Sequence, residues 1–261
     1  MVSGGVQSVD RALRIVGYLA EANGADLSVT EIGRRLGVHK TTASRLAATL
    51  AHHGFIQRGP TTDQYRLGLR LVHLAASAIA DFEPIHVARP ALRDLAAQTE
   101  ETVTLGVLSG DRVVYVDQIM GGRSIVSHSW LGNSTLTHCS ASGKVLLAWL
   151  DEAELKAILP ARLVQLTSRT IVSVPELRRQ LEEIRTSGYG CSIQELEDGL
   201  TAVAAPVRQA SGRVVAALAV SGPTFRLRQQ DIPRIAGLVQ KAAKSASRGM
   251  GYQDRPGRGR P

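Results

Sequence analysis

Residues 27–54 read LSVTEIGRRLGVHKTTASRLAATLAHHG and predict two helices that meet at a short turn. Ser28 and Glu31 have the spacing of a capping box, in which each side chain accepts a backbone N–H at the start of a helix. Gly37 is typical of a helix end, and Gly54 ends the second helix in the same way. A helix, a short turn and a second helix form the motif that places its second helix in the major groove of DNA.

The segments on either side extend this motif into a small domain. Ser8 is a predicted N-cap, and apolar residues at helical spacing follow it up to residue 22. After the motif, residues 55–58 and 64–67 alternate between apolar and polar around a turn rich in Gly and Pro, which predicts a hairpin. Such a hairpin is a wing that would lie on the DNA backbone beside the groove.

The chemistry of the second helix favours nucleic acid as its partner. No Asp or Glu lies between Gly33 and Pro60. Lysine and arginine bind guanine or phosphate, and hydroxyl groups donate to either. The candidate DNA-binding residues on the helix are Lys40, Thr41, Thr42, Ser44 and Arg45, and those on the wing are Arg58, Gln64 and Arg66. The alternative is a winged helix that contacts only proteins, and the acid-free segment disfavours it.

The charge is uneven along the chain. Residues 1–75 carry 9 basic and 5 acidic side chains, residues 76–247 carry 18 and 17, and residues 248–261 carry 4 and 1. A basic first domain favours a polyanionic partner, and the nearly neutral middle favours a different one. Because aromatic residues make up only 4% of the chain, recognition of single strands by base stacking is disfavoured.

Length and composition limit the class of protein. The chain has 261 residues, of which 44% are hydrophobic, so it is expected to fold into one large or two ordinary domains. No apolar run approaches the roughly 20 residues of a spanning helix, and the first residues lack the pattern of a signal peptide. Two cysteines are too few for a disulfide scaffold. We therefore expect a cytoplasmic protein without a membrane partner.

Beyond the wing, the periodicity predicts helices first and then a mixed domain. Residues 69–82 and 84–98 have helical spacing, and the first of these helices is suited to be a linker and a dimer contact. Residues 131–139 are predicted to be a polar loop. Strands are predicted at 103–108, 113–117, 125–130, 191–196, 202–207 and 214–220, and helices at 140–150, 151–159, 174–187 and 231–247. This pattern predicts an α/β domain with a mainly antiparallel sheet.

The loop before residue 140 is a candidate ligand site. It leads into a helix N-terminus, where backbone N–H groups and the helix dipole favour an anion. Serine hydroxyls add polar groups, and alanines leave space. From the residues alone, an ordinary capped helix packed on a sheet is an equally good interpretation.

Catalytic and metal sites are not predicted. Residues 138–145 fail as a phosphate-binding loop because His138 replaces the first glycine and Val145 replaces the final Ser or Thr. His128, His138, Cys139 and Cys191 lack the paired spacing of metal ligands. An enzyme would need a nucleophile, a base and an orienting group, which cannot be assembled here. We expect no catalytic residues, no metal and no cofactor.

The chain resembles the IclR family of bacterial transcriptional regulators from about residue 8 to residue 250. The resemblance rests on SVDRALRIVGYLAE, LSVTEIGRRLGVHKTTASRLAATL, YRLGLRL, DRVVYVDQ, THCSASGKVLLAWL, IRTSGYG, DGLTAVAAPV and AALAVSGP, in this order. It implies a winged helix-turn-helix, a helical linker and a GAF-like domain that binds a small-molecule effector. It also implies dimers or tetramers on DNA that repress or activate transcription.

The same resemblance marks effector-binding positions. Matching the local motifs gives Ser140, Ala141, Ser142, Ser192, Ala202, Ala219 and Ser221. The chain departs from the common family pattern at Cys139, where alanine is frequent, and at Cys191-Ser192, where an acidic residue is frequent. These departures concern the identity of the effector.

Together these observations predict an α+β protein with four parts. These are a winged helix-turn-helix domain at 1–68, a linker helix at 69–83, a GAF-like domain at 84–248 and a disordered basic tail at 249–261. The predicted function is a sequence-specific, homo-oligomeric DNA-binding regulator that is controlled by a small organic acid such as a carboxylate. Repression is favoured over activation. The alternatives are a regulator whose C-terminal domain only oligomerises, and an enzyme with an accessory basic domain.

Overall fold

The structure is a computed structural model that describes residues 5–22, 24–61, 63–80, 82–122 and 129–253. It divides into two compact units, Met1–Asp81 and Phe82–Pro261. Most of the predicted strand at 125–130 and the tail after residue 253 lie outside the described residues. Among the described helices, none combines the length and the apolar character needed to cross a membrane.

The first unit is a helical domain with a small antiparallel sheet. Its helices are α1 (Gln7–Glu21), α2 (Val29–Leu36), α3 (Lys40–His52) and α4 (Arg70–Ala80), and its strands are β1 (Leu27–Ser28), β2 (Ile56–Arg58) and β3 (Gln64–Leu67). The sheet order is β1-β3-β2, so the predicted hairpin is β2-β3 and β1 adds an edge that was not predicted. Two residues are too few for β1 to show an alternating pattern in the sequence.

The helix starts differ in detail from the sequence predictions. Ser28 caps α2, since its hydroxyl accepts the Glu31 N–H at 3.2 Å. The Glu31 carboxylate bonds to Arg34 and Arg35, so the structure records only the serine half of the predicted capping box. The prediction that Ser8 caps α1 is wrong, because Val6 is the N-cap and Ser8 lies inside the first turn.

The second unit is built on a six-stranded sheet of order β6-β5-β4-β9-β8-β7, in which all neighbours are antiparallel. The strands are β4 (Thr102–Ser109), β5 (Arg112–Ile119), β6 (Ser134–Leu136), β7 (Gly190–Ile193), β8 (Leu200–Arg208) and β9 (Val214–Pro223). The helices are α5 (Glu83–Thr99), α6 (Ala141–Ala148), α7 (Glu152–Ile158), α8 (Val174–Ser187) and α9 (Ile232–Gly249). The mixed α+β class and the antiparallel sheet agree with the prediction.

Helices cover both faces of the central strands. On β9, Leu218 and Val220 belong to the core that contains α5 and α9. Ala217 and Ala219 point to the opposite face, where they join the core that contains α6 and α8. Because side chains alternate along a strand, β9 presents Leu218 and Val220 to one helical layer and Ala217 and Ala219 to the other. The alanine face lets α6 approach the sheet closely.

The segment 131–139 is not the simple polar loop that was predicted. It contains β6, which pairs with β5 through registers such as Arg112 with Leu136. A strand of three residues at the edge of a sheet is too short to be recognised from alternation alone. Its pairing places the chain that enters α6 against the sheet.

Gly143 allows the segment that leads into α6, around Thr137, to pass directly under the helix. A Cβ at Gly143 would lie 2.2 Å from the Thr137 carbonyl oxygen, well inside contact distance. The hydroxyl of Ser140, the N-cap of α6, accepts the Gly143 N–H at 3.2 Å and donates to the Leu136 carbonyl at 3.0 Å. Residue 143 therefore has to be glycine for this packing to form.

We expect Gly143→Ala to lower the melting temperature. Forcing extra volume into close packing costs about 1–3 kcal/mol or more, and each kcal/mol lowers the melting temperature of a chain of this size by about 2–4 °C. The matched control is Gly237→Ala on α9, where a methyl group would meet no heavy atom within 4 Å beyond its own helix. That change should be neutral or stabilise by about 1 kcal/mol. Equal melting temperatures for the two variants would contradict this account.

Candidate functional site

The N-terminal end of α3 presents the predicted DNA-contacting side chains on the surface. His39 caps the helix, with its Nδ1 atom accepting the Thr41 N–H at 3.4 Å. Buried Ala43 and Ala47 hold the opposite face of α3 in the core. The side chains of Lys40, Thr41, Ser44 and Arg45 are exposed, and that of Thr42 is half-buried. All five sequence-predicted residues of α3 thus lie at one end of one helix.

Two further arginines near this motif are already paired. Arg34 and Arg35 both bond to Glu31, at 2.7 Å for the shortest contact of each. The hydrogen bonds from Arg34 and then Arg35 lower the pKa of Glu31 to about 2, so this carboxylate stays ionised at neutral pH. The basic character that is available on the helix-turn-helix motif is therefore concentrated on α3.

The wing residues have three different environments. Arg58 is exposed on β2, with its guanidinium 6.0 Å from the centre of the Tyr65 ring. Gln64 is half-buried at the start of β3. Arg66 forms an ion pair with Asp26, with 2.9 Å between Nε and Oδ1. This pair fixes β3 to the segment before β1, a contact that sequence periodicity does not reveal.

In the second unit, the predicted effector-binding residues surround one cavity. The sequence-predicted residues that line it are Ser140, Ala141, Ser142, Ser192, Ala202, Ala219 and Ser221. The lining also includes five residues that were not predicted, Thr104, Tyr115, Trp130, Leu196 and Leu200. The N-terminus of α6 forms one wall, and the sheet and the β7-β8 loop form the others.

Strand register brings the distant predicted positions together. Ala202 of β8 lies between Ser192 of β7 and Ser221 of β9. Ala219 of β9 pairs with Thr104 of β4 in the next row on the same face. Directly paired residues share one face of a sheet, so these side chains converge although they are far apart in sequence. The small alanines leave the space that the cavity occupies.

The polar groups around the cavity are uncharged. Its lining holds no Asp, Glu, Lys, Arg or His among the described residues. The Ser192 hydroxyl donates to the Cys139 carbonyl at 2.8 Å, so its proton is already used within the protein. The first N–H groups of a helix have no partner inside the helix, and α6 directs its N-terminus at this cavity. The cavity is therefore suited to a small ligand with one acceptor-rich end.

Aromatic rings line another part of the cavity. Tyr115 and Trp130 contact each other edge to face, with 5.5 Å between ring centroids. The Tyr115 hydroxyl bonds with that of Thr135 at 3.1 Å, and burial raises the pKa of Tyr115. The phenol therefore stays protonated at neutral pH and offers a flat apolar surface to a ligand.

The cysteine next to the cavity is not an activated nucleophile. Burial is the main reason that the pKa of the Cys139 thiol is raised to about 11, and the charge of Glu195 adds to this. A thiol with that pKa is protonated at neutral pH, and the thiolate is the reactive form. Within the part of the chain that the structure describes, no three His, Cys, Asp or Glu residues are grouped as metal ligands.

The most deeply buried charge in the second unit is Lys144, whose structural role was not predicted. Its side chain is 1% exposed. Its Nζ atom donates to both Glu195 carboxylate oxygens, at 2.7 and 2.9 Å, and to Gln180 Oε1 at 3.0 Å. In the sequence, only the position of this lysine at the start of the apolar stretch KVLLA signals that it is buried. That position does not indicate that its partner is 51 residues away.

Two family models match the chain. Residues 8–60 match the IclR helix-turn-helix domain, and residues 76–248 match the C-terminal domain of the bacterial transcriptional regulator IclR. The first match runs from α1 to β2, and the second spans nearly all of the unit that contains the cavity.

Individual relatives are similar over nearly the whole chain. The HTH-type transcriptional regulator XynR of Escherichia coli K12 is 35% identical over 248 residues, which are 95% of this chain and 98% of that protein. The regulator KdgR of Dickeya chrysanthemi is 35% identical over 251 residues, covering 95% and 82%.

A solved structure supports the same assignment. The crystal structure of an IclR transcriptional regulator from Alicyclobacillus acidocaldarius superposes with a TM-score of 0.80 at 31% identity, covering 95% of this chain and all of that one. The chain therefore belongs to the IclR family of bacterial transcriptional regulators, and it is a DNA-binding regulator rather than an enzyme.

Proposed function

We propose that this regulator is a repressor that a small organic acid controls through the cavity at the N-terminus of α6. The observation that carries the proposal is the convergence of seven residues, chosen from sequence, around that one cavity. Its uncharged walls combine apolar surface with a few polar groups, as is typical of ligand sites. An oligomerisation domain has no need of such a space.

The N-terminus of α6 favours a carboxylate as the acidic group. Ser140 to Ser142, at the start of α6, form one wall of the cavity. The N-terminus of a helix favours an anion. The ring pair of Tyr115 and Trp130 offers apolar contact to the rest of the ligand. A more distant structural neighbour, 24% identical, is described as an IclR homologue complexed with 4-hydroxybenzoate, and that ligand is a property of that protein.

Repression is favoured over activation by one relative in particular. AllR of Escherichia coli K12, 31% identical over 253 residues, is named a transcriptional repressor. Under this proposal, the effector changes the affinity of the regulator for DNA only if it binds one conformation of the regulator more tightly than another. We extend the proposal to a cytoplasmic location, where chromosomal DNA and small metabolites are both accessible.

For DNA recognition, the proposal assigns base contacts in the major groove to α3. Its exposed end carries Lys40, Thr41, Thr42, Ser44 and Arg45, and a helix of this kind reads base edges with its first residues. Arg58 and Gln64 on the wing would hold the phosphate backbone. Arg66 would contribute phosphate contact with the part of its side chain that remains exposed beside Asp26.

The regulator is proposed to act as a homodimer or homotetramer through the first unit. Val9 and Leu13 are exposed on α1, at 54% and 64% of their surface. Leu69, just before α4, and Val72 on α4 are exposed at 76% and 65%. Large exposed apolar side chains are typical of a protein interface when they form a patch.

We expect Arg45→Ala to weaken binding to the operator by about 1–3 kcal/mol if Arg45 contacts a base. The operator would first be selected from fragments of the native genome with the wild-type protein. Binding is then measured by fluorescence anisotropy across a salt series, on operator and on random DNA.

The control for this experiment is Arg178→Ala, which removes an exposed arginine of α8 that is paired with Glu152. It should leave both affinities unchanged. An equal loss of operator and random binding for Arg45→Ala would mean that this residue contacts phosphate only.

We expect at least one member of a panel of monocarboxylates, from acetate to benzoate, to raise the melting temperature. A ligand at 100 times its dissociation constant stabilises a protein by about 2.7 kcal/mol. The same compound should release the protein from its operator. Ala202→Leu, which places a larger side chain in the cavity, should abolish both effects.

Ala97→Leu is the matched control, because Ala97 is exposed on α5 and does not line the cavity. Silence of the whole panel toward the wild-type protein would favour the alternative in which the C-terminal domain only oligomerises.

A further inference from the structure

The buried pair of Lys144 and Glu195 joins two walls of the cavity without lining it. Lys144 lies on α6, two residues after Ser142, which forms the first wall. Glu195 lies in the β7-β8 loop, next to Leu196, which forms the opposite wall. Neither charged side chain is part of the lining, so the pair can affect the cavity only through the positions of α6 and the β7-β8 loop.

The loop itself is held in an unusual backbone conformation. Gln194 has a φ of +59°, in the left-handed region that residues other than glycine rarely adopt. Its side-chain Oε1 accepts the Gly199 N–H at 2.9 Å, which closes the loop on itself. A conformation of this kind persists only where the surroundings hold it.

Contacts from a second segment hold the backbone of this loop. The Thr170 hydroxyl donates to the Glu195 carbonyl at 2.6 Å, and the Thr167 hydroxyl donates to the Gln194 carbonyl at 2.7 Å. These bonds fix the loop to residues 167–170 and not to α6. The ion pair from Lys144 supplies the tie between the loop and α6.

A buried ion pair of this kind is a poor device for stability alone. Removing two charges from water costs several kcal/mol for each ion, and apolar residues of similar volume often stabilise a protein equally well. Its directional bonds, in contrast, require a fixed distance between α6 and the loop. The value of this pair therefore lies in the geometry that it imposes.

We infer that Lys144 and Glu195 are positioning residues, which hold the β7-β8 loop against α6 and so set the closed form of the ligand cavity. Leu196 and Leu200 then stay in place as the apolar wall opposite the α6 N-terminus. The biological role of this inference rests on the proposed function, but the geometric claim does not.

The test uses the full chain and the double variant Lys144→Met/Glu195→Leu, which removes both charges and keeps apolar volume. Hydrogen exchange is measured for amides of residues 194–200 and compared with amides of β4 in the same protein. Because β4 is an internal reference, the ratio reports local opening whether or not the global stability changes. We expect the ratio to increase by about tenfold or more, since the loop loses its tie to α6.

The matched control is Arg178→Gln/Glu152→Gln, which removes an exposed bidentate pair between α8 and α7. It should leave the exchange ratio of residues 194–200 unchanged. The single variant Lys144→Met leaves a buried carboxylate unpaired, so a fall in its melting temperature alone would not distinguish the two roles.

Trp130 gives a second measure, because its ring lines the cavity. In a Trp149→Phe background it is the remaining tryptophan of the chain. Acrylamide should quench its fluorescence more strongly in the double variant than in the control. An unchanged exchange ratio together with unchanged quenching in the double variant would overturn the inference.

Neither measurement uses DNA or a ligand, so the outcome is separate from that of the proposed function. A silent ligand panel combined with an opened loop would favour the alternative without an effector and keep the positioning role. Ligand binding with an unaltered loop would do the reverse.

Discussion

The second unit depends on the close contact between α6 and the sheet. Gly143 lets α6 pass over the Thr137 carbonyl. Ala217 and Ala219 present only small side chains to the helix, so the sheet can lie close to it. Larger side chains at these positions would hold α6 away from the strands. Ala219 also lines the cavity beside the helix N-terminus, so this residue contributes both to the helix packing and to the cavity.

The side chains of β9 contribute to the main core on one face of the sheet and to the cavity on the other. Its large residues, such as Leu218, complete the core with α5 and α9, which gives the sheet a rigid back. Its small residues face α6 and end in Ser221 at the cavity. Because the two sets alternate by strand geometry, the ligand site can be built without removing side chains from the main core.

In the first unit, acidic side chains form ion pairs with several of the arginines. Asp26 binds Arg66, and Glu31 binds Arg34 and Arg35, so these cations are held within the domain. The end of α3 has no acid near it in sequence, and its lysine and arginine remain exposed. Within the helix-turn-helix motif, the arginines of α2 are therefore paired with Glu31, and the exposed cations of α3 have no acidic neighbour in sequence.

Sequence reasoning was most successful where the signal is local or repeated. The helices and most of the strands follow from periodicity and capping. The seven cavity residues came from the resemblance to the IclR family, and the structure places them around one cavity. The edge strands β1 and β6 are too short to show a period. Tyr115 and Trp130 look like ordinary core aromatics until strand pairing places them at the cavity.

Lys144 marks the limit of such reasoning most clearly. Its position within an apolar helix indicates burial, but the partner that makes burial tolerable comes from a loop far along the chain. A ligand can shift a regulator only through a difference in affinity between two states. A pair that holds one cavity wall in place, as we infer for Lys144 and Glu195, would give such a difference, because the held wall contacts a ligand that a displaced wall does not.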